Sequence, residues 1–263
     1  MSTARLAATA GPVLLRELHS HDDYAACIEL QKITWGESFR EIVPAAMLKI
    51  SQRVGGVAAG AFDDAGQLVG FVFGLTGYHQ RRPMHWSHML AVRPEMRDHG
   101  VGRQLKQFQR ELLAAAGVDT ICWTYDPLVA RNAHFNLNRL GVNVLEYVPD
   151  MYASTGSELH AIGTDRLVVC WDSSNRERGN SQHLMQCRII NQDGALPDAL
   201  PADPCIGIEI PADISALQEQ SVDEALRWRA TSQRAFLHYL GAGYRIQGLC
   251  RAEGARPYYL LCK

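Results

Sequence analysis

Lysine is scarce in this 263-residue chain, with four (Lys32, Lys49, Lys106, Lys263) against 22 arginines. Net charge is nearly absent as well. Twenty-six basic and 28 acidic side chains leave a formal charge of −2, so no global field favours nucleic acid or an anionic membrane surface. The seven cysteines (27, 122, 170, 187, 205, 250 and 262) are widely spaced and contain no C-x-x-C. Neither a disulfide framework nor a zinc site is therefore expected. Cys122 and Cys170 lie in apolar strand-like runs, where a free cysteine behaves as a small hydrophobe. No apolar run approaches the roughly 20 residues that span a bilayer, and Met1 to Pro12 lack the apolar core of a signal peptide. A cytoplasmic, reduced, soluble protein without metal is the expectation. The 47% hydrophobic and 21% charged content excludes collagenous, low-complexity and disordered classes.

What is present is an α/β alternation. Val13–Leu18 reads as a strand and His21–Ile33 as a helix with Tyr24, Ile28 and Ile33 inward. A second helix follows Pro44. Two strands, 56–62 and 68–75, flank the turn Asp63-Asp64-Ala65-Gly66. Trp86–Val92 is a strand, and a helix from Gly100 to Ala116 carries Val101, Leu105, Phe108, Leu112 and Ala116 at helical spacing. Strand 120–124, helix 131–140, strands 144–151 and 166–171 complete a first domain, residues 1–172. Residues 173–204 are polar and Asp/Pro-rich and read as a linker, with a short strand within His183–Ile190. Residues 205–263 read as strand–helix–strand–strand: strand 206–210, a helix opened by the capping box Ser221–Glu224, then a hairpin turning at Glu253-Gly254. Ala235 precedes Gly243 by eight residues, as Ala133 precedes Gly141, so this tail is a partial repeat of the first domain's end. Trp228, Phe236, Tyr239 and Leu240 are expected in its core.

The most informative stretch runs from Met89 to Arg103. A strand ends at Val92, and Arg97-x-x-Gly100-x-Gly102 opens an amphipathic helix. Glycine lets a backbone approach a ligand closely, and first-turn amides point outward at the positive end of the helix dipole. Arg97 and Arg103 flank this anion cradle and can add charge-assisted hydrogen bonds. A Walker loop needs Gly-Lys-Ser/Thr, whereas Gly102 is followed by Arg103-Gln104. A Rossmann fingerprint needs a third glycine where Leu105 stands.

This segment resembles the acetyl-CoA-binding motif of the GNAT superfamily of N-acyltransferases, [Gln/Arg]-x-x-Gly-x-[Gly/Ala] after a strand ending in a Leu-x-Val type run. The order of elements over about 160 residues is similar too. The resemblance implies an α/β GNAT acyltransferase fold, a mixed, splayed central sheet flanked by helices, with a smaller C-terminal α/β partial repeat. It implies acetyl-CoA or another acyl-CoA as co-substrate. Backbone groups of Leu90, Ala91 and Val92 would hold the pantetheine, the segment Arg97, Asp98, His99, Gly100, Val101, Gly102 and Arg103 the pyrophosphate, and Asn132 would also serve the cofactor. The pattern departs at Leu137, four residues before Gly141, where many members carry a tyrosine that protonates the leaving thiolate. It departs also at Ala130, where an asparagine is frequent.

Acyl transfer to an amine needs a base for the ammonium and donors for the oxyanion, with a general acid or base worth about 10²–10⁴-fold. His88, in phase with Trp86 and Leu90 on one face of its strand, is the candidate base, with a side chain titrating near ~6.5 when unperturbed. Tyr125 and Asp126, after the next strand, are the second candidates. Arg81 and Arg82, before the central strand, can grip the carboxylate of an amino-acid acceptor or of a succinyl-type acyl group. Five arginines (81, 82, 93, 97, 103) fall within 23 residues. The expected activity is N-acylation of a primary amine on a small molecule, with no nucleic acid or membrane partner and a homodimer allowed. A non-catalytic acyl-CoA-binding protein and a protein N-acyltransferase are the alternatives.

Overall fold

The computed structural model describes residues 12–152, 161–172, 187–251 and 254–263. The chain is mixed α/β, with a second, smaller sheet toward its C-terminus. It forms two compact units, Met1–Asp119 and Thr120–Lys263.

In the first unit, strands β1 (Leu14–Glu17), β2 (Val57–Phe62), β3 (Leu68–His79) and β4 (Arg82–Val92) lie in that order, each antiparallel to its neighbour. Helix α1 (His21–Trp35) starts where Ser20 Oγ accepts from the Asp23 amide at 3.0 Å. Asp23 Oδ2 in turn accepts from the Ser20 and His19 amides at 3.1 and 2.9 Å. Arg16 grips the same carboxylate at 2.7 and 2.8 Å. This guanidinium and the two amides hold the Asp23 carboxyl well below its ordinary range. Helix α1 buries Tyr24, Cys27 and Leu30, which share a core with Phe71, Phe73, Met89 and Ala91. Ile33, expected inward, is 50% exposed. Helix α2 (Ala45–Arg53) also packs on this core through Leu48.

Helix α3 (Val101–Ala115) covers the other face. A Cβ on Gly70 would lie 3.1 Å from Leu105 and 3.3 Å from Val101, so that glycine admits the close helix–sheet approach. The buried stripe of α3 is Val101, Leu105, Lys106, Gln109 and Leu113. It is thus rotated from the expected one, leaving Phe108 and Leu112 half-buried and Ala116 exposed.

β3 and β4 are longer than expected. Pairing of β2 with β3 ends at Val57↔Gly74, while β3 and β4 pair on to His79↔Arg82. Residues 77–83 therefore form the exposed tip of a β3–β4 arm. Its turn places Gln80 and Arg81 at φ 48° and 67°, a conformation that glycine or asparagine usually fills.

In the second unit, β5 (Thr120–Tyr125), β6 (Asn143–Val148) and β7 (Arg166–Asp172) pair in the order β5-β7-β6. The helix between β5 and β6 is irregular: α4 (Ala130–Ala133) runs into a π-helical stretch, His134–Arg139. The smaller sheet holds β8 (Arg188–Ile189), β9 (Cys205–Glu209), β10 (Arg245–Cys250) and β11 (Tyr258–Cys262) in the order β10-β11-β9-β8. β8 covers only the end of the strand expected at His183–Ile190; residues 183–186, with the rest of 173–186 and Glu253, lie outside the described residues, as does most of Met1–Pro12. Helix α5 (Ile214–Gln220) was not anticipated from its composition. Asp213 caps it, accepting from the Ser215 and Ala216 amides. Helix α6 (Val222–Gly241) is capped by Ser221. It buries Trp228, Phe236 and Tyr239, while Leu240 is half-buried. Phe236 stacks on Tyr147 and meets Tyr259 edge-on, both at 5.1 Å.

The absence of disulfides is corrected. Cys122–Cys170 and Cys205–Cys262 are disulfides, each joining residues directly opposed across antiparallel strands. Sequence spacings of 48 and 57 residues carry no sign of this, because only strand register brings the partners together. Cys27, Cys187 and Cys250 are free.

Candidate acyl-CoA site

β4 ends at Val92 and a tight turn, Pro94–Met96, carries the chain toward α3. Arg93 fastens this turn to β3, its amide and Nε donating to the Val69 and Leu68 carbonyls at 2.8 Å each. Arg97 Nε reaches the Val92 carbonyl at 3.3 Å. Asp98 at φ 64° and Gly100 at φ 79° then reverse the backbone twice within three residues. The first intrahelical bond runs from the Gln104 amide to the Gly100 carbonyl at 3.0 Å, so Val101 and Gly102 present first-turn amides. His99 Nδ1–H donates to the Arg97 carbonyl at 2.7 Å, which directs Nε2 outward. Asp98, His99, Gly100 and Arg103 are exposed. An accessible, doubly reversed loop at a helix start suits a pyrophosphate, and each charge–dipole contact contributes about 0.3–1 kcal/mol.

The strand feeding this loop is not regular. Phe73 pairs with Met89 but Gly74 pairs with Ser87, so His88 is an extra residue, a β-bulge. Side chains alternate across a strand, and an inserted residue reverses the alternation. His85 and Ser87 are buried toward α3, whereas Met89 and Ala91 are buried in the α1 core. The expected phase is corrected accordingly. His88 stays with Trp86 on the α1 side, its ring edge-on to Phe73 at 6.2 Å, and the bulge turns Leu90 to the α3 side. His88 is exposed; desolvation on its packed side lowers its pKa below the ordinary value, opposed in part by Glu41.

Beneath the bulge lies a buried polar network that no sequence motif marks. Thr76 Oγ1 donates to the Gly55 carbonyl at 2.6 Å and so accepts from His85 Nδ1–H at 2.9 Å. His85 Nε2 then accepts from Gln109 Nε2 at 3.0 Å. Gln109 Oε1 accepts from Ser87 Oγ at 2.9 Å, and Lys106 Nζ donates to that same Ser87 oxygen at 2.7 Å. Burial and the neighbouring Lys106 bring the His85 pKa down to about 3, and burial pulls the Lys106 ammonium well below its ordinary value. The available signal was that Lys106 and Gln109 sit at inward spacing with Leu105 and Leu113.

Arg81 and Arg82 are not gathered here. Arg82 lies ten residues from Val92 along β4, about 30 Å at ~3.3 Å per residue, and six residues, or roughly 20 Å, from His88. The five arginines cluster in sequence but not in space: Arg81 and Arg82 occupy the tip of the arm, and Arg93, Arg97 and Arg103 the cradle. In the second unit, Tyr125 is 5% exposed and buried beside Tyr259. Burial pushes its pKa up. Asp126 is engaged on every side: Arg229 donates to it at 2.9 and 2.6 Å, the Leu128 amide at 2.8 Å, and Arg166 lies at 3.8 Å. It is a structural ion-pair centre. Asn132 is half-buried, with its carbonyl accepting from Asn136 Nδ2 at 2.8 Å. Among the described residues no helix is long and apolar enough to cross a membrane, and no group of three His, Cys, Asp or Glu side chains could hold a metal.

Residues 24–137 match the profile of the "Acetyltransferase (GNAT) family". Comparison with curated proteins gives no significant match. Among solved structures, the NatC complex bound to Gag peptide and CoA is 14% identical, with a TM-score of 0.50 over 62% of this chain and 99% of that one. The ribosomal-protein-S18-alanine N-acetyltransferase from Escherichia coli is 16% identical, with a TM-score of 0.46 over 64% and 97%. An aminoglycoside 6'-N-acetyltransferase complexed with coenzyme A is 16% identical, with a TM-score of 0.47 over 62% and 98%. The mixed α/β fold is that of the GNAT acetyltransferases.

Proposed function

Because residues 24–137 of this chain are a GNAT acetyltransferase domain, we propose that the protein transfers an acyl group from acyl-CoA to a primary amine. The carrying observation is the cradle from Arg97 to Arg103, exposed at Asp98, His99, Gly100 and Arg103, with its backbone reversals at Asp98 and Gly100. Those amides bind the pyrophosphate, and β4 residues Leu90 to Val92 bind the pantetheine. The amine nitrogen attacks the thioester carbonyl, a C–N bond forms, and the C–S bond breaks. His88 takes the proton that the nitrogen loses, directly or through one water. The CoA thiolate leaves without a tyrosine donor, since Leu137 stands at that register, and takes its proton from solvent. Thiolate is a tolerable leaving group, so this absence slows transfer rather than preventing it.

The acceptor is read as a small amine. Arg81 and Arg82 are not retained as its carboxylate clamp, because roughly 20 Å of strand separates Arg82 from His88. That same separation favours a second reading, a peptide amine whose following residues lie along the arm. Its exposed residues include Tyr78, 80% exposed, and its segment from Leu75 to Trp86 contains basic but no acidic side chains.

Thiol release from acetyl-CoA with small amines and with peptides is the test. Arg97→Ala should weaken CoA binding about tenfold, the loss of roughly 1.4 kcal/mol. His88→Ala should lower turnover about 100-fold. Since the His88 pKa is lowered, wild-type turnover should hold below pH 6.5 and fall only at more acid pH, and this limb should vanish in His88→Ala. CoA binding without turnover on any amine would overturn the enzyme reading.

A further inference from the structure

β4 carries two buried pairs that ask for opposite faces. His85 and Ser87 are polar and sit under α3, while Met89 and Ala91 are apolar and sit in the α1 core. Strict alternation would place all four on one side of the sheet. One extra residue between the pairs reconciles them, and that residue is His88.

The apolar pair asks only for burial. The polar pair is placed by particular side chains of α3. Gln109 reaches both members, donating to His85 Nε2 and accepting from Ser87 Oγ, and Lys106 donates to Ser87 Oγ. The far side of the network ends on the Gly55 carbonyl through Thr76. A Cβ on Gly74 would lie 2.2 Å from His85 Nε2, so the strand opposite is cut back to admit this ring. A slip of β4 by one residue would set Trp86 and His88 against Gln109 and Lys106 and leave buried amide and amine groups without these acceptors, at about 1–3 kcal/mol for each neutral group.

We propose that Gln109, aided by Lys106, is a positioning residue for His88: by engaging His85 and Ser87 it fixes where β4 bulges, and so where the His88 imidazole leaves the sheet. The same helix opens with the cradle, so one rigid element sets both the anchored end of the acyl donor and the aim of the base. This inference rests on the reading of His88 as base, and it gives the buried network a function beyond stability.

The test uses histidine imidazole ¹⁵N spectra and steady-state kinetics on the full chain. In the wild type His85 should hold its proton on Nδ1 and stay neutral down to about pH 4, and His88 should titrate separately under the influence of Glu41, the charged group acting on it. Gln109→Met keeps the volume and removes the hydrogen bonds to His85, Ser87 and Lys106. It should shift the His88 midpoint by about half a pH unit or more. With an accepted amine it should lower kcat about tenfold or more while CoA affinity changes less than about twofold. Ser87→Ala severs the same link from the strand side and should move His88 in the same way; if Gln109→Met does not fold, this variant decides. Both variants folding with His88 titration and kcat unchanged would overturn the proposal. If the wild type acylates no amine, the acyl-transfer reading fails alone, and the His88 titration still decides whether Gln109 positions it.

Discussion

The second unit contains two strand–helix–strand–strand segments that share a plan and differ in their helices. In each, the last strand lies between the other two, β5-β7-β6 in one and β9-β11-β10 in the other. In each, a disulfide ties the first strand to the last, and a glycine with positive φ, Gly141 at 67° or Gly243 at 87°, follows the helix. Yet α6 is an unbroken 20-residue helix, whereas four α-helical residues and six π-helical ones do the same job between β5 and β6. The regular helix acts as a clamp. Its Arg229, Gln233 and Phe236 reach Asp126, Asp165 and Tyr147 in the other segment. The irregular helix turns its asparagines toward partners instead: Asn136 Oδ1 accepts from Trp123 at 2.7 Å, and Asn138 both donates to the Leu249 carbonyl and accepts from its amide, at 2.8 and 3.1 Å. Strand order alone therefore does not dictate how a helix is used.

If α6 is the clamp, cutting it should hurt most. Arg229→Met leaves the buried Asp126 carboxylate only the Leu128 amide and the more distant Arg166, and should cost about 3 kcal/mol in urea unfolding. Reduction should lower stability by about 4 kcal/mol for each disulfide in the chain-entropy account, and nearly equally, because loop length enters only as a logarithm. Thiol titration of the denatured chain should count three thiols before reduction and seven after it. Asn138→Ala, the cut from the irregular side, should cost about 1–3 kcal/mol; a larger loss than that of Arg229→Met would reverse the roles assigned to the two helices. Gly141→Ala and Gly243→Ala should be mildest, at about 1 kcal/mol each by thermal denaturation, and a marked asymmetry between them would show that the two helix ends are not equivalent.

The alternating elements and the cradle were legible because hydrophobic period and glycine placement are local properties. The bulge was not, since His88 differs from its neighbours in nothing but the register that β3 and α3 impose. Asp126 illustrates the same limit. Beside Pro127 it reads as a polar turn residue near a strand end, and its partner Arg229 lies 103 positions away. Leu137 is matched to the family's tyrosine by its offset of four residues from Gly141, a sequence count that carries no sign of the π-helical stretch His134–Arg139. The face given to each residue by counting is thus displaced within His134–Arg139, although the residue identities are unaffected.

The turn of the β3–β4 arm bears on the order in which this sheet assembles. Gln80 and Arg81 hold a backbone conformation costing L-residues roughly 1 kcal/mol or more apiece, so the hairpin has a poor nucleus at its tip. Its apolar stretch around Phe71, Phe73, Met89 and Ala91 is buried beneath α1. Pairing should begin there, in the halves of β3 and β4 remote from their turn, and zip toward the tip, with the arm the last part to close and the first to fray.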